Sequence, residues 1–233
     1  LVTILTGLVR TVLLARWLPI EIFGVYAFVT ALVSLSVAIP NFGMAGAFLH
    51  RAPETEDEDS VAAAHFTLKL LFTFVWAVVL LIGARIFLEG ERSFALSVVT
   101  VTSFGNQITQ TPNLILARRV KHRRLAIIQM MSSLLATVIA ILLAWRGMAL
   151  WARLSTNCVS MICKIVGLYI WDPVWHPHFL WSSSITRYFI SFGSRVFTAY
   201  SLMTALDRLD DLWVGHFLGD ISLGLYSRAY TFA

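Results

Sequence analysis

Apolar segments long enough to cross a membrane alternate with short polar segments along almost the whole chain. About 20 apolar residues in an α-helix span the hydrocarbon of a bilayer, so we predict eight transmembrane helices, of which the first and the last are incomplete. We expect Pro40 to kink the second helix, and residues 172–184, with two prolines, to form a polar and aromatic linker. The predicted spans are residues 1–17, 23–49, 61–88, 94–117, 125–145, 148–171, 187–212 and the segment that begins at 223.

One of the short polar turns occurs twice, 200 residues apart. Residues 13–26 read LLARWLPIEIFGVY, and residues 213–226 read WVGHFLGDISLGLY. Each copy predicts the end of one apolar helix, a short turn and the start of the next, and a repeat at a fixed offset indicates duplicated structural units. An even number of spans separates the copies, so both units have the same orientation, as in several secondary transporters; we expect this chain to be a fragment of a parent of roughly 400 residues or more. The repeat motif comprises Gly24, Tyr26, Asp210, Gly215, Gly224 and Tyr226.

Composition agrees with a membrane location. Hydrophobic residues make up 58% of the chain and charged residues 13%, and the mean hydropathy is +0.77. Soluble domains carry about 25% charged residues, so this chain has too few polar groups to cover a water-soluble globule. Cys158 and Cys163 form no CxxC motif, and they predict neither a metal cage nor a disulfide framework.

Two clusters of potential metal ligands carry only a weak signal. His176 and His178 lack a third ligand, so we expect an interfacial loop, where Trp175 and Trp181 fit an aromatic belt. The acidic run within residues 50–59 lacks the spaced ligands and the glycine of a calcium-binding EF-hand loop, and it predicts a solvated loop. We therefore predict no metal site and no cofactor.

The densest basic run of the chain sets the predicted orientation. Short loops rich in Lys and Arg remain in the cytoplasm, so the loop between spans four and five is predicted to be cytoplasmic, and the parity of the spans places the N-terminus there too. The loops at 18–22, 89–92, 146–147 and 213–221 carry little Lys or Arg and are predicted to lie outside. No aromatic-interleaved soluble domain surrounds the run, so a nucleic-acid site is not predicted. The cations of the run are Arg118, Arg119, Lys121, Arg123 and Arg124.

Polar side chains form stripes inside the predicted spans. In span six, four polar side chains from Arg153 to Lys164 recur at intervals of three or four residues, which places them on one face of a helix. An Arg or Lys at the centre of a membrane helix costs about 2.5–3.5 kcal/mol, so these groups are expected to face a wet cavity or a counter-charge. Snorkelling near a helix end explains Arg187, and also Arg153, equally well. A cationic cavity suits an anion such as phosphate, which guanidinium binds bidentately. The cavity candidates are Arg10, Asn106, Gln110, Asn113, Arg153, Asn157, Lys164 and Arg195.

Several motifs resemble those of bacterial lipid-linked oligosaccharide flippases, the Wzx-type polysaccharide exporters of the polysaccharide transporter family in the MOP superfamily. The resemblance begins with TVLLARWLP and FGVYA near the N-terminus and continues through LARRVKHRRLAIIQ and WRGMALWA. The most specific match is LDRLDDLWVGHFLG followed by LGLYSRAY. The subgroup that these motifs resemble most is that of the colanic-acid and teichuronic-acid exporters.

The resemblance implies an all-α polytopic membrane protein of MOP- or MATE-like architecture. A six-helix N-terminal lobe would cover residues 1–171, a cytoplasmic linker 172–186, and the start of a second, parallel-repeat lobe 187–233. The implied function is to flip undecaprenyl-diphosphate-linked oligosaccharide across the bacterial inner membrane for polysaccharide or lipopolysaccharide biosynthesis or export. The implied ligands are membrane lipid and the lipid-linked glycan, and a polysaccharide polymerase and a chain-length regulator are candidate partners. The cations that would hold the pyrophosphate are Arg10, Arg153, Lys164 and Arg195.

Two other functions stay open. A multidrug or toxin exporter of the same superfamily would prefer cations and carry interior carboxylates, whereas the acids of this chain cluster in loops and at helix ends. A membrane-embedded glycan polymerase or glycosyltransferase would need a large outer loop or a catalytic carboxylate motif, and these residues contain neither. The sequence also lacks a Gly-rich phosphate loop and a recognisable Ser–His–Asp order, so we do not predict an enzyme.

Overall fold

The computed structural model describes residues 2–51 and 58–232, and within these residues the chain is almost entirely helical with no β-strand. This confirms the predicted all-α fold. The helices are α1 (Val2–Trp17), α2 (Ile20–Ser36), α3 (Ala38–Asn41), α4 (Met44–His50), α5 (Glu58–Phe87), α6 (Gly90–Ile108), α7 (Gln110–Arg118), α8 (His122–Trp145), α9 (Ala149–Ile165), a π turn (Val166–Ile170), α10 (Ser183–Phe217) and α11 (Gly219–Phe232).

Three helical segments of the described chain are long and apolar enough to cross a membrane by length and composition: Ile20–Asn41, Glu58–Phe87 and His122–Trp145. Several other predicted spans are shorter helices, because breaks divide them or because they lie at an end of the chain. On α5, large apolar side chains such as Phe74, Val79 and Ile86 are exposed. An outward apolar surface of this kind suits lipid, so the chain is a polytopic membrane protein.

Small residues let the helices approach closely. Ala62, Ala63 and Ala64 are fully or almost fully buried in the core between α4, α5, α7 and α10. Because lipid tails are as apolar as the helices, association in a membrane depends on such close packing rather than on the exclusion of water. A second core lies between α2, α5, α6 and α9, and a third joins α1 and α2 to α8 and α9.

The predicted second span is broken twice. It begins at Ile20, ends its first part at Ser36, and is interrupted again at Phe42 and Gly43, whose φ angles are +35° and +64°. The first break, at Val37, lies within one turn before Pro40, which has no N–H to donate to the Ser36 carbonyl oxygen, so it agrees with the expected kink. The second break is due to the left-handed residues after α3, which redirect the chain.

Other boundaries also differ from the predictions. The fourth span is interrupted at Thr109, between α6 and α7. The basic run is mostly helical, because α7 ends at Arg118 and α8 begins at His122, so only residues 119–121 lie outside a helix. The predicted loop at 213–221 is also wrong, since α10 continues to Phe217 and the turn occurs at Leu218. Of the predicted acidic loop, residues 52–57 lie outside the described residues.

The repeated turn forms a reciprocal crossing between α2 and α11. A Cβ atom built on Gly24 would overlap the carbonyl oxygen of Asp220, and one built on Gly224 would overlap the carbonyl oxygen of Ile20. The two glycines are 200 residues apart, and so are Ile20 and Asp220, so each glycine meets the equivalent carbonyl of the other copy. Contacts in which i touches j and j touches i are those of a two-fold interface, so the two copies are related by a local pseudo-two-fold axis.

The π turn after α9 shapes the surface that faces α8. Its Gly167 packs so closely on Ile128 that an added Cβ would lie 2.9 Å from a side-chain carbon of that residue. The Tyr169 hydroxyl donates a hydrogen bond of 2.8 Å to the carbonyl oxygen of Ile108, which ties the turn to α6. The carbonyl oxygen of Gly167 in turn accepts a hydrogen bond of 2.9 Å from the Arg124 guanidinium on α8.

Candidate functional site

A polar cavity of about 290 Å³ lies between α1, α2, α8 and α9, and ten of its eleven lining residues carry polar side chains. Arg10 comes from α1, Arg153 and Asn157 come from α9, and all three were predicted cavity residues. The intervals of three and four residues along α9 explain how one helix supplies several of these groups to one side. The lining residues are Thr3, Arg10, Tyr26, Gln129, Ser132, Ser133, Ala136, Arg153, Thr156, Asn157 and Ser160.

Aromatic rings hold Arg153 in place. Its guanidinium carbon lies 4.3 Å from the centre of the Tyr26 ring and 5.7 Å from that of Phe23. The Tyr26 hydroxyl donates a hydrogen bond of 3.4 Å to Asn157 Oδ1. A cation over a ring face is attracted by the ring quadrupole, so the ring orients the guanidinium and leaves its N–H donors available to a ligand.

The cavity has positive charge and no carboxylate among its described lining residues. The Nε atoms of Arg10 and Arg153 are both buried, and within the described chain neither has a hydrogen-bond partner. The two guanidinium charges repel each other. Buried charges are normally paired because desolvation is costly, so two partly buried guanidinium groups without a counter-charge among the described lining residues suit an anionic ligand.

A second cavity of about 410 Å³ adjoins the first, and Gln129 lines both. Lys164 and Asn113, two further predicted cavity residues, line the second one. The Lys164 ammonium donates a hydrogen bond of 3.1 Å to Asn106 Oδ1, and the Asn106 amide in turn donates to the carbonyl oxygen of Thr102. Arg10, Arg153 and Lys164 therefore line two cavities that share Gln129.

Three predicted residues line neither cavity, and one of them is Asn106, which reaches the second cavity only through its hydrogen bond from Lys164. The Oε1 atom of Gln110 is buried without a hydrogen-bond partner in the described structure, but the residue lines neither cavity. Arg195 is exposed on α10 and also lines neither cavity. Its assignment to a central cavity stays a prediction.

The polar residues that α8 contributes were missed. Gln129, Ser132 and Ser133 interrupt an otherwise apolar span and are followed by Thr137. Their spacing of three and four residues is the same signal that identified the stripe on α9. Applied to span five, it would have predicted a polar face directed at α9.

Buried Lys69 was also missed. It is only 1% exposed, and its ammonium donates hydrogen bonds of 2.9 Å to the Pro40 carbonyl oxygen and 2.7 Å to Asn41 Oδ1. These acceptors lie just before the break at Phe42, so Lys69 provides a hydrogen-bond donor to polar groups at the C-terminal end of α3. A single Lys in an apolar segment gives no sequence signal for this role.

The linker after the π turn packs more tightly than expected. Trp175 is buried, and its indole N–H donates a hydrogen bond of 2.6 Å to Asp59 Oδ1, so its predicted place in an interfacial aromatic belt is wrong. Trp181 is exposed, as a belt residue would be. His178 Nε2 lies 3.5 Å from Asp59 Oδ2. No group of three or more His, Cys, Asp or Glu suited to a metal ion occurs among the described residues.

Comparisons with known proteins identify the family. The family model described as polysaccharide biosynthesis protein matches residues 13–233. The chain is 29% identical over 238 aligned residues to the succinoglycan biosynthesis transport protein ExoT of Rhizobium meliloti (strain 1021), an alignment that covers 95% of this chain and 45% of that protein. No solved structure gives a significant match. Because the family model covers nearly the whole sequence, the chain belongs to the polysaccharide biosynthesis protein family.

Proposed function

We propose that the protein containing this chain flips a lipid-linked oligosaccharide across the bacterial inner membrane, and that the cavity between α1, α2, α8 and α9 holds the diphosphate of the substrate. The observation that carries the proposal is the pair of partly buried guanidinium groups, Arg10 and Arg153, which share a cavity without a carboxylate among its described lining residues. Family membership and the transport function in the name of the Rhizobium relative support it.

The free energies favour an anion as the ligand. Two membrane-embedded guanidinium groups cost roughly 5–7 kcal/mol when uncompensated. A diphosphate offers several acceptor oxygens and two or more negative charges, and hydrogen bonds to charged groups each contribute about 1.5–3 kcal/mol. Binding would therefore offset most of the cost that the empty cavity carries. An exporter of cations would instead need a carboxylate in this position.

The arrangement in the membrane is part of the same proposal. The chain would form a first lobe over residues 1–171, a cytoplasmic linker over 172–186 and the start of a second lobe from 187, with the N-terminus in the cytoplasm. The reciprocal contact between the two copies of the turn supports lobes related by a pseudo-two-fold axis, and the even number of predicted spans between the copies makes the lobes parallel. In this orientation the C-terminal end of α7 and the start of α8 lie at the cytoplasmic surface, where lipid-linked precursors are assembled. The cavity would bind them without forming or breaking a bond.

The proposal is tested by complementation. The complete gene product that includes these 233 residues is expressed in a bacterium whose own exopolysaccharide flippase has been deleted, and surface polysaccharide and lipid-linked precursor are both quantified. Arg10→Gln and Arg153→Gln should each lower export about 10- to 100-fold, since each removes a charge-assisted interaction with the diphosphate. Precursor should accumulate at the same time.

Arg146→Gln is the matched control. Arg146 is an exposed Arg at the far end of α8, outside the cavity lining, and its replacement should leave export unchanged. Immunoblots of the membrane fraction establish equal insertion of all variants. Normal export by both cavity variants at normal protein level would refute the assignment of the cavity.

A further inference from the structure

A second basic pocket, separate from the proposed substrate cavity, lies where α8 begins. It has a volume of about 410 Å³, and its wall combines three cations with apolar side chains. We call it the interfacial pocket. Its lining residues are Lys121, Arg123, Arg124, Ile127, Ile128, Gly167, Trp171 and Asp172.

The π turn fixes one side of the interfacial pocket. Arg124 donates a hydrogen bond of 2.6 Å to Asp172 Oδ2 and one of 2.9 Å to the Gly167 carbonyl oxygen, and it also donates to the Asp172 carbonyl oxygen. These contacts hold the guanidinium against the chain that follows α9. Arg124 is therefore a preorganised wall of the pocket rather than a mobile surface side chain.

The other two cations lack such partners. Lys121 and Arg123 are exposed, and neither takes part in an ion pair or a side-chain hydrogen bond within the described chain. Asp172 alone balances three positive charges in the pocket. The first turn of α8 contains no acidic residue, and cations at the positive end of a helix dipole are unfavourable. The pocket therefore has positive charge that an anion would neutralise.

The apolar half of the pocket distinguishes a lipid from a free anion. Ile127 and Ile128 line its inner wall, and the exposed indole of Trp171 forms its rim. From Ile127 an exposed apolar stripe continues along the same helix at intervals of three and four residues, in line with the pocket. The stripe consists of Ile127, Met131, Leu134, Val138 and Leu142.

We propose that the interfacial pocket binds the phosphate headgroup of an anionic membrane phospholipid, whose acyl chains lie along the exposed stripe of α8. Lys121 and Arg123 would contact the phosphate, and Trp171 would lie at the level of the headgroups, where Trp residues are enriched. Basic pockets between helices at a membrane surface suit such headgroups. The leaflet follows from the proposed orientation and is the cytoplasmic one, but binding itself does not depend on the transport function.

The experiment measures lipid retention by the complete protein in detergent. Native mass spectrometry across a titration compares dioleoyl-phosphatidylglycerol with dioleoyl-phosphatidylcholine, and glycerol 3-phosphate provides the headgroup chemistry without acyl chains. Phosphatidylglycerol should bind in preference to the other two. The Lys121→Gln/Arg123→Gln double variant should bind it roughly 30-fold more weakly, from about fivefold per cation.

Two further variants separate a specific site from general attraction. Arg146→Gln removes an exposed cation from the opposite end of the same helix and should leave binding unchanged. Asp172→Asn removes the competing carboxylate of the pocket while keeping an acceptor for Arg124, so binding should become severalfold tighter.

Four results would overturn the proposal: equal retention of phosphatidylglycerol by the double variant and the unchanged protein, an equal loss in the Arg146 control, binding of glycerol 3-phosphate as tight as that of the lipid, or binding of phosphatidylcholine as tight as that of phosphatidylglycerol. The outcome is independent of the complementation test, because neither Lys121 nor Arg123 lines the proposed substrate cavity. A failure here leaves the transport proposal intact, and the reverse also holds.

Discussion

Replacing Gly24 with Ala should separate α2 from α11. The added methyl group would overlap the carbonyl oxygen of Asp220, which is a backbone atom and has no rotamer by which to move away. Overpacking costs about 1–3 kcal/mol, and a rigid neighbour places this site in the upper half of that range, at roughly 2–3 kcal/mol. The gain in helix propensity from Gly to Ala, at most about 1 kcal/mol, is smaller.

The reciprocal geometry makes the prediction stricter. Gly224→Ala meets the carbonyl oxygen of Ile20 and should cost a similar amount. Because either methyl group forces the same two helices apart, the second substitution then finds space already open. The double variant should therefore lose less stability than the sum of the two single variants, with a coupling on the order of 1 kcal/mol.

Thermal unfolding of the purified protein in detergent, followed by circular dichroism, measures these effects. A loss of 2–3 kcal/mol corresponds to a fall of roughly 5–10 °C in Tm for a chain of this size. Gly83→Ala is the control, since no atom lies within 4 Å of a Cβ built on that helical glycine of α5. If the Tm of Gly24→Ala equals that of the Gly83→Ala control, the close approach of α2 and α11 is absent. If the double variant is strictly additive, the two contacts do not belong to one interface.

Three further perturbations have defined outcomes. Lys69→Met leaves the buried Pro40 carbonyl oxygen without its donor, so it should lower the free energy of unfolding by roughly 1–3 kcal/mol. An unchanged Tm in detergent would contradict the role of Lys69 at the end of α3. Arg92 donates three hydrogen bonds to the Asp220 carboxylate, the shortest of 2.6 Å. A double-mutant cycle that replaces both residues with Ala, measured by thermal unfolding, should therefore give a coupling free energy of about 1–2 kcal/mol. Zero coupling would show that the pair is a surface contact that does not contribute to stability. Arg153→Gln removes a partly buried charge without a counter-ion in the described chain, so it should raise the Tm of the substrate-free protein while it lowers export. A fall in both Tm and export would indicate a structural role for Arg153 instead.

Much of the fold follows from periodicity and composition, because an apolar chain in a membrane must form its backbone hydrogen bonds internally, which favours helices. The predicted turn at 146–147 and the third span at 61–88 lie close to the observed ends of α8 and α5. The breaks at Phe42 and Thr109 were not predictable in this way. The left-handed Phe42 follows a tertiary contact, the donation from Lys69 to the chain just before it. The interruption at Thr109 lies three residues before Pro112, which has no N–H to donate to the Ile108 carbonyl oxygen.

The two arginines of the candidate site could be predicted from the sequence, because a charge inside a membrane is costly. Arg10 and Arg153 are costly inside a membrane, so each alone indicates a cavity. The cavity also depends on Tyr26, whose ring lies beside the Arg153 guanidinium, and an aromatic residue in an apolar span is too common to indicate that role. Arg195 lines neither of the two described cavities, so its place in a central cavity stays a prediction.

The π turn at Val166–Ile170 ends the helix that α9 begins, and the linker leaves the helix directly after it. A π-helix carries more residues per turn than an α-helix, so relative to an uninterrupted helix one extra residue is accommodated, and the side chains beyond it are rotated by about 100°. Before the turn, Lys164 lines the second cavity; beyond it, Asp172 reaches the start of α8. Deletion of a single residue in this segment would thus rotate the point at which the linker leaves the helix, and it would uncouple the interfacial pocket from the cavities while α9 before the turn stayed folded.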